Sequence, residues 1–390
     1  MTSRIMQDVE NIRSEMLALS RNIHDNPELA FEEFKSAGFI KAMLERHGFT
    51  IEDKIGGLDT AFKGTFVGAG DGPTVAFLAE YDALPDVGHG CGHNLIAAVS
   101  VGAAAALSKR MKDMGGTLVL MGTPAEERGG GKIILLEKGA FKGIDYALMT
   151  HPSTENMVNR GGLATTSVHL AFRGRAAHSA APENGINALQ AVIQTLNLLD
   201  SVRVQMPLKA TTNAIITHGG AASNIIPDYA RCELCVRAAT VADLKTVLAM
   251  LQKIVSTVES LTGAQADYRN TLLYAERYSN LAIDEVFKKY LEQLGETVEY
   301  PDPTAKVGSS DIGNVSLVMP AIHAYFKIAD DTVNAHSKDF AAAAISDYAH
   351  DMTVKAAKAL SCTAYEILSD QDLRSRIKKE FDEKVPREHD

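Results

Sequence analysis

The sequence predicts an α/β fold, a mixed and largely parallel sheet covered by helices, interrupted by an inserted α+β domain. Three observations carry this expectation. Residues 1–150 alternate helical patterns with short apolar runs, the alternation that builds a parallel sheet. From residue 162 the order becomes β-α-β-β-α-β, which suits a compact, ferredoxin-like domain with its own sheet. After Asn280 the text returns to helix, an apolar run and a long helical stretch, so the first domain is discontinuous. The expected units are 1–161 with 278–390, and 162–277.

The elements follow from periodicity. Ile5, Val9, Ile12, Met16 and Leu17 recur at helical spacing and predict a helix over 5–24; similar patterns cover 33–48 and 95–112. Strands are expected near 74–80, 117–122 and 146–150. In the insert, residues 164–174, 211–220, 230–238 and 266–278 read as strands. Asn184–Asp200 and Thr240–Leu261 read as helices. The apolar run AIHAYFKI covers 321–328, and the charged tail from Asp372 reads as an exposed helix that then frays.

Composition excludes several function classes. A chain of 390 residues suggests two or three domains. Apolar residues make up 46% and charged residues 23%, so a large core is expected and disorder is not. The formal charge is −10 with no offsetting run of Lys and Arg, which disfavours nucleic acid and anionic membranes as partners. The N-terminus lacks a continuous apolar segment of the signal-peptide kind, and Leu95–Leu107 is too short to span a bilayer. The four cysteines are therefore expected reduced and the protein cytoplasmic. Cys232 and Cys235 sit in a strand pattern, where residues three apart face opposite ways, against a redox pair. Gly129-Gly130-Gly131-Lys132 lacks the spacing of a phosphate-binding loop and reads as a flexible turn.

Candidate ligands cluster after the predicted strands. TVAFLAEY leads to Asp82 and then to GHGCGHN, residues 88–94. TLVLMGTPAEE ends in Glu126 and Glu127, YALMT runs into His151, and AIHAYFKI precedes Asp330, Asp331 and His336. Open α/β sheets bind ligands beyond the carboxyl ends of their strands, so these ends would converge on one crevice. Cys91 and His93 flank one glycine, and a thiolate with an imidazole favours zinc or another borderline metal over magnesium. On an extended segment Glu126 and Glu127 would diverge, one to ligate and the other to act as base. Taken singly, each of these residues has a plain structural reading; their joint placement makes the case for a dinuclear site.

These motifs resemble the M20 metallopeptidase and aminoacylase family, in particular its amidohydrolase branch with a Cys-Gly-His metal motif. The resemblance runs from HDNPELAFEE (24–33) through EYDALP, GHGCGHN, GTPAEE, GRAAHSAAPENGINAL, GGAASNIIPDYA and GSSDIGNVS to NAHSKDF (334–340). It implies Cys91, His93, Glu127, His151 and His336 as ligands of two divalent ions per chain, Zn or Mn with Co as an option, Cys91 being the candidate bridge. It implies Glu126 as general base and later acid, and Asp82 as the residue orienting a ligand. Position 80 is Glu where many members of the family carry His. The insert would be a dimerisation lid whose His178 reaches the partner's site and holds the scissile carbonyl oxygen. Asn224 would lie near the substrate. Arg237 would bind substrate or only pair with Glu233.

The expected function is hydrolysis of the amide bond of an N-acyl amino acid, aryl-amide conjugate or dipeptide with a free carboxylate, by a homodimer. A same-fold hydrolase of a non-peptidic amide or aromatic amine, a non-catalytic metal-bound protein and a thiol-redox protein stand as alternatives.

Overall fold

The computed structural model describes residues 1–302 and 307–386. They form two compact units, Met1–Gly161 with the described residues from Arg277 on, and Gly162–Glu276.

The first unit opens with α1 (Thr2–Asn11), α2 (Arg13–His24) and α3 (Phe34–Arg46). The single helix expected over 5–24 is broken at Ile12, whose φ of −109° and ψ of 12° leave the helical region. Then come β1 (Thr50–Asp53), β2 (Phe62–Val67), β3 (Gly70–Ala79), α4 (His93–Ser108), β4 (Gly115–Gly122), α5 (Gly131–Glu137) and β5 (Tyr146–Ser153). The insert supplies β6 (Ala164–Arg173), α6 (Ala188–Ser201), β7 (Thr211–His218), β8 (Tyr229–Ala238), α7 (Val241–Thr262) and β9 (Gln265–Asn270). The chain then adds α8 (Leu281–Gln293), α9 (Ile312–Ser316), β10 (Ala321–Lys327), α10 (Lys338–Ala343), α11 (Asp347–Ser369) and α12 (Gln371–Lys384) to the first unit.

The first unit's sheet runs β1-β2-β4-β3-β5-β10. Strands β4, β3, β5 and β10 are mutually parallel, whereas β1 and β2 join antiparallel. Neither stands out as an apolar run: β1, at the edge of the sheet, is largely exposed, and β2 is only partly buried. Alternate residues of β3 feed two cores: Val75, Phe77 and Ala79 join one, Ala76 and Leu78 the other. Every residue of α4 is buried, and its run of alanines permits close packing on the sheet and against α2 and α11. No helix among the described residues is long and apolar enough to cross a membrane. The tail helix α12 buries Leu373 and Ile377 and so is not wholly exposed. The helix expected from Asp372 ends at Lys384, and residues 387–390, on which the expected fraying would fall, lie outside the described residues.

The second unit is a four-stranded antiparallel sheet, β7-β8-β6-β9, with α6 and α7 packed on it. Val168, Leu170 and Phe172 alternate with half-exposed neighbours along β6. The same alternation buries Cys232 while Cys235 stays half-exposed. The last strand is shorter than expected; Tyr274 instead returns to pair with Thr165. Asn187 caps α6 through the Gln190 N–H at 3.0 Å, so that helix starts later than Asn184.

Asp284 in α8 is fully buried, accepting from Ser279 Oγ at 2.6 Å and Asn159 N at 3.0 Å. Burial pushes its carboxyl from an ordinary 3.8 to about 7, against the pull of those donors. A raised folded-state value means that the folded state binds the extra proton. Its stabilising share is complete below pH 3.8 and is lost as pH rises through about 7. Asp284→Asn, which carries no charge at any pH, should therefore gain stability relative to the parent protein as pH rises from 4 to 8. Urea titrations across that range check it, and a pH-independent difference would contradict it.

Candidate metal centre

The carboxyl ends of four parallel strands supply the candidate donors. Beyond β3 lie Glu80 and Asp82, beyond β4 lie Glu126 and Glu127, β5 carries His151, and His336 follows β10. Between β3 and α4 the loop closes tightly. Gly92 has φ +78°, and a Cβ there would meet Pro152 Cγ at 2.5 Å, so only glycine lets His93 open α4 beside Cys91. His336 also has a positive φ, 62°, and its N–H donates to Gly90 O at 2.8 Å, which ties the last donor to the Cys91 loop.

Three groups of donor atoms lie within 4.8 Å of one another: Cys91/His93/His151, Cys91/Glu127/His336 and Glu80/His93/Glu126. Cys91 belongs to the first two. Each of two imidazoles, His93 and His151, is turned by its other nitrogen. His93 Nδ1 donates to Asp82, 2.8 Å from the carbonyl O and 3.0 Å from Oδ1. His151 Nδ1 donates to Pro152 O at 2.7 Å. Both therefore present a bare Nε2 inward. Cys91 Sγ stands 3.4 Å from His151 Nε2, and Glu127 Oε1 3.5 Å from His336 Nε2. Two ligands on one tetrahedral ion, with bonds of about 2.0–2.3 Å, stand roughly 3.3–3.6 Å apart. His93 Nε2 and Glu127 Oε1 are buried without a hydrogen-bond partner. The donor spacing, the soft thiol and these unsatisfied atoms fit divalent ions.

The glutamates occupy a turn, not the extended segment expected. Ala125, just before them, has φ 61° and donates its N–H to Glu33 Oε1 at 2.9 Å. Glu127 N donates to Asp82 Oδ2 at 3.0 Å, which aims its carboxylate at the donor cluster. Burial pushes Glu126 well above the carboxylate range, reinforced by the charges of Glu80, Asp311 and Glu127. Burial alone would raise Asp82, but the His93 imidazole outweighs it and holds the carboxyl low. Burial lowers His151 to about 4, so this ring is neutral at neutral pH.

Sequence reasoning missed the layer beneath. Lys132 is fully buried, with Nζ 2.5 Å from Glu80 Oε1 and 2.7 Å from Asp311 Oδ1. Gly129–Lys132 is thus only in part the turn expected: Gly129 ends the turn, and Gly131 starts α5, where a Cβ would fall 1.9 Å from Pro124 O. The available signal was a lysine inside the apolar run KIILL. Asp330 and Asp331 are exposed and join none of the donor groups. In the insert, His178 pairs with Ile225, and Ser179 N donates to Asn224 O at 3.0 Å, so His178 and Asn224 lie on adjoining segments. Arg237 sits on β8 opposite Thr165 and Thr211. Glu233 is engaged by Arg231 at 2.6 Å and His169 at 3.4 Å.

Comparison with known proteins agrees with this architecture. Residues 160–261 match the peptidase dimerisation domain of M20 peptidases. The Xaa-Arg dipeptidase of Mus musculus is 35% identical over 99% of this chain and 93% of its own length. A p-aminobenzoyl-glutamate hydrolase chain of Escherichia coli K12 is 30% identical over 74% of this chain and 64% of its own length. The Bacillus subtilis YXEP protein, a dinuclear metal-binding peptidase of the M20 family, shares the fold. It has a TM-score of 0.66 and 21% identity over 88% of this chain and 98% of its own. With this coverage and this donor set, the chain belongs to the M20 family of peptidases and amidohydrolases and is a metal-dependent hydrolase of amide bonds.

Proposed function

We propose that the protein hydrolyses the amide bond of an N-acyl amino acid, aryl-amide conjugate or dipeptide with a free carboxylate, using two divalent ions per chain. The observation that carries this reading is the sharing of Cys91 between two donor groups. Cys91, His93 and His151 would hold one ion; Cys91, Glu127 and His336 would hold the other. When bound, the ions polarise the scissile carbonyl and acidify the attacking water. Zinc or manganese suits the donors, and cobalt could replace them.

Glu126 is the general base. It takes the proton of the attacking water and returns it to the leaving nitrogen, a role typically worth about 10²–10⁴ in rate. A carboxyl with raised proton affinity, as burial and its neighbours give Glu126, is suited to that shuttle. Asp82 positions His93 through Nδ1. Asn224 and Arg237 serve substrate binding from the insert.

The insert also makes the dimer. Strand β7 is the edge of its sheet and exposes Ile215 and Ile216; Val204 and Leu208 nearby are 87% and 88% exposed. An unprotected apolar edge of this kind is a template for a second copy of the chain. In the dimer His178 of one protomer donates a hydrogen bond to the oxyanion that develops in the other's site.

Three outcomes are expected. Elemental analysis should find up to two divalent ions per chain, with activity lost on chelation. Glu126→Gln should keep the ions and lose most turnover, whereas Glu127→Gln should lower metal content. Retention of near-parental turnover by Glu126→Gln removes the base assignment. Second, Cys91 should resist alkylation while metal is bound and react after chelation, and Cys91→Ala but not Cys362→Ala should lower metal occupancy. Equal alkylation in both states argues against ligation. Third, His178→Ala should cost roughly 10²–10³ in turnover with metal content intact. Subunit exchange between His178→Ala and Glu126→Gln proteins should partly restore activity, because one mixed site is intact; confirmed exchange without recovery refutes a shared site.

A further inference from the structure

Beside the candidate metal centre, the first unit holds a group of cationic and polar side chains that the chemistry above does not use. Tyr325 on β10 lies directly across from His151 on β5, with ring centroids 5.7 Å apart. The Arg160 and Arg277 guanidinium carbons stand 5.0 and 5.7 Å from the Tyr325 ring centre. Arg277 is nearly buried and spends its N–H groups on neutral acceptors: Arg160 O at 3.0 Å, Gly161 O at 2.7 Å and Tyr325 Oη at 3.0 Å. Among the described residues neither arginine forms an ion pair. Asp284, whose charge acts on Arg277, is committed to Ser279 and Asn159.

His323 closes the group. It is 2% exposed, packs edge-on to Tyr325 at 4.8 Å and against His151 at 5.3 Å, and both its ring nitrogens are buried without a hydrogen-bond partner. A buried polar atom left unpaired is destabilising, and a nearly buried guanidinium without an ion-pair partner is less tolerable still. Two guanidinium groups without an ion-pair partner and an unsatisfied imidazole around one aromatic ring, adjoining a proposed metal ligand, fit one further component: an anion with several acceptor atoms. A carboxylate supplies both the charge and the acceptors, and guanidinium forks match its plane.

We propose that Arg160, Arg277 and His323 form a subsite in the metal-bearing unit that receives the free carboxylate of the substrate. This rests on the amide-hydrolysis reading above and assigns carboxylate recognition to the first unit, in addition to any part that Arg237 plays from the insert.

The test uses metal-loaded Glu126→Gln protein, titrated calorimetrically with a panel of N-acyl amino acids and the corresponding N-acyl amino acid carboxamides. The acids should bind more tightly than their amides. Arg160→Gln in that background should weaken the acids by roughly 10–100-fold, the range for a hydrogen bond to a charged group, and leave the amides unchanged. Arg160→Lys should recover part of the loss. Metal content and the circular dichroism spectrum should not move, which separates a lost contact from a damaged fold. An acid-to-amide ratio near one before substitution overturns the proposal, as does a ratio that survives Arg160→Gln. So does a ratio abolished only by Arg237→Gln. Turnover of the same panel by protein with intact Glu126 reports on the other reading independently: cleavage of acids and amides alike would leave amide hydrolysis standing while the subsite falls.

Discussion

The site hangs on Asp82. Its carboxylate is almost fully buried, and its two oxygens serve two different elements. Oδ1 takes the His93 Nδ1–H and fixes the tautomer at the first residue of α4. Oδ2 takes the Glu127 N–H and fixes the turn after β4. One side chain at the end of β3 thereby sets the register of donors on two neighbouring segments. The ring it turns cannot flip without leaving a buried carboxylate oxygen unpaired, so the bare Nε2 is held in place by the cost of the alternative.

Two strained residues show how firmly the rest is held. Ala125 and His336 both adopt left-handed backbone, with φ of 61° and 62°. Non-glycine residues in that region cost of order 1–3 kcal/mol and persist only where their surroundings over-determine them. Ala125 is held by Glu33, which also accepts from Phe31 N at 3.0 Å and Thr60 Oγ at 2.8 Å. His336 is held by Gly90 O. Each strained residue adjoins a proposed functional group, and each is tied to a different part of the chain. The donor cluster is thus preassembled by hydrogen bonds that do not involve the donors' own ligating atoms.

Much of this was legible in the sequence. The strands that end in Asp82, Glu127 and His151 announce themselves as apolar runs because they are buried on both faces, and the βαββαβ order of the insert follows from plain alternation. What escaped has a common cause. Strand β1 is an exposed edge, and its neighbour β2 is only partly buried, so both carry little apolar signal. The break at Ile12 falls on a residue whose helical periodicity is intact. Lys132 lies within an apolar run, and its partners Glu80 and Asp311 are 52 and 179 residues distant. Periodicity reports which face a residue turns to the core; it does not report which distant charge will meet it there. The relation of His323 and Tyr325 to His151 likewise arises only from β10 pairing with β5, which strand periodicity does not report.

The buried charges themselves argue for cations. Glu80, Asp82 and Asp311 are at most 1% exposed, and Glu126 and Glu127 lie beside them. Against these five acids, among the described residues, the same layer offers one buried lysine, Lys132. Lys132 satisfies one oxygen of Glu80 and, through Nζ and its backbone N–H, both of Asp311, yet Glu80 Oε2 remains without a partner, 3.4 Å from His93 Nε2. Protonation can relieve part of the excess, and the upward push on Glu126 is that relief. It cannot do so for Asp82, which His93 holds in the charged form. Divalent ions at the Cys91 donor groups would supply the missing positive charge where the unsatisfied Nε2 and Oε1 atoms point. The same imbalance explains the buried lysine: without Lys132, Glu80 and Asp311 would face each other through a low-dielectric gap, and the floor of the site would be pushed apart by its own charge.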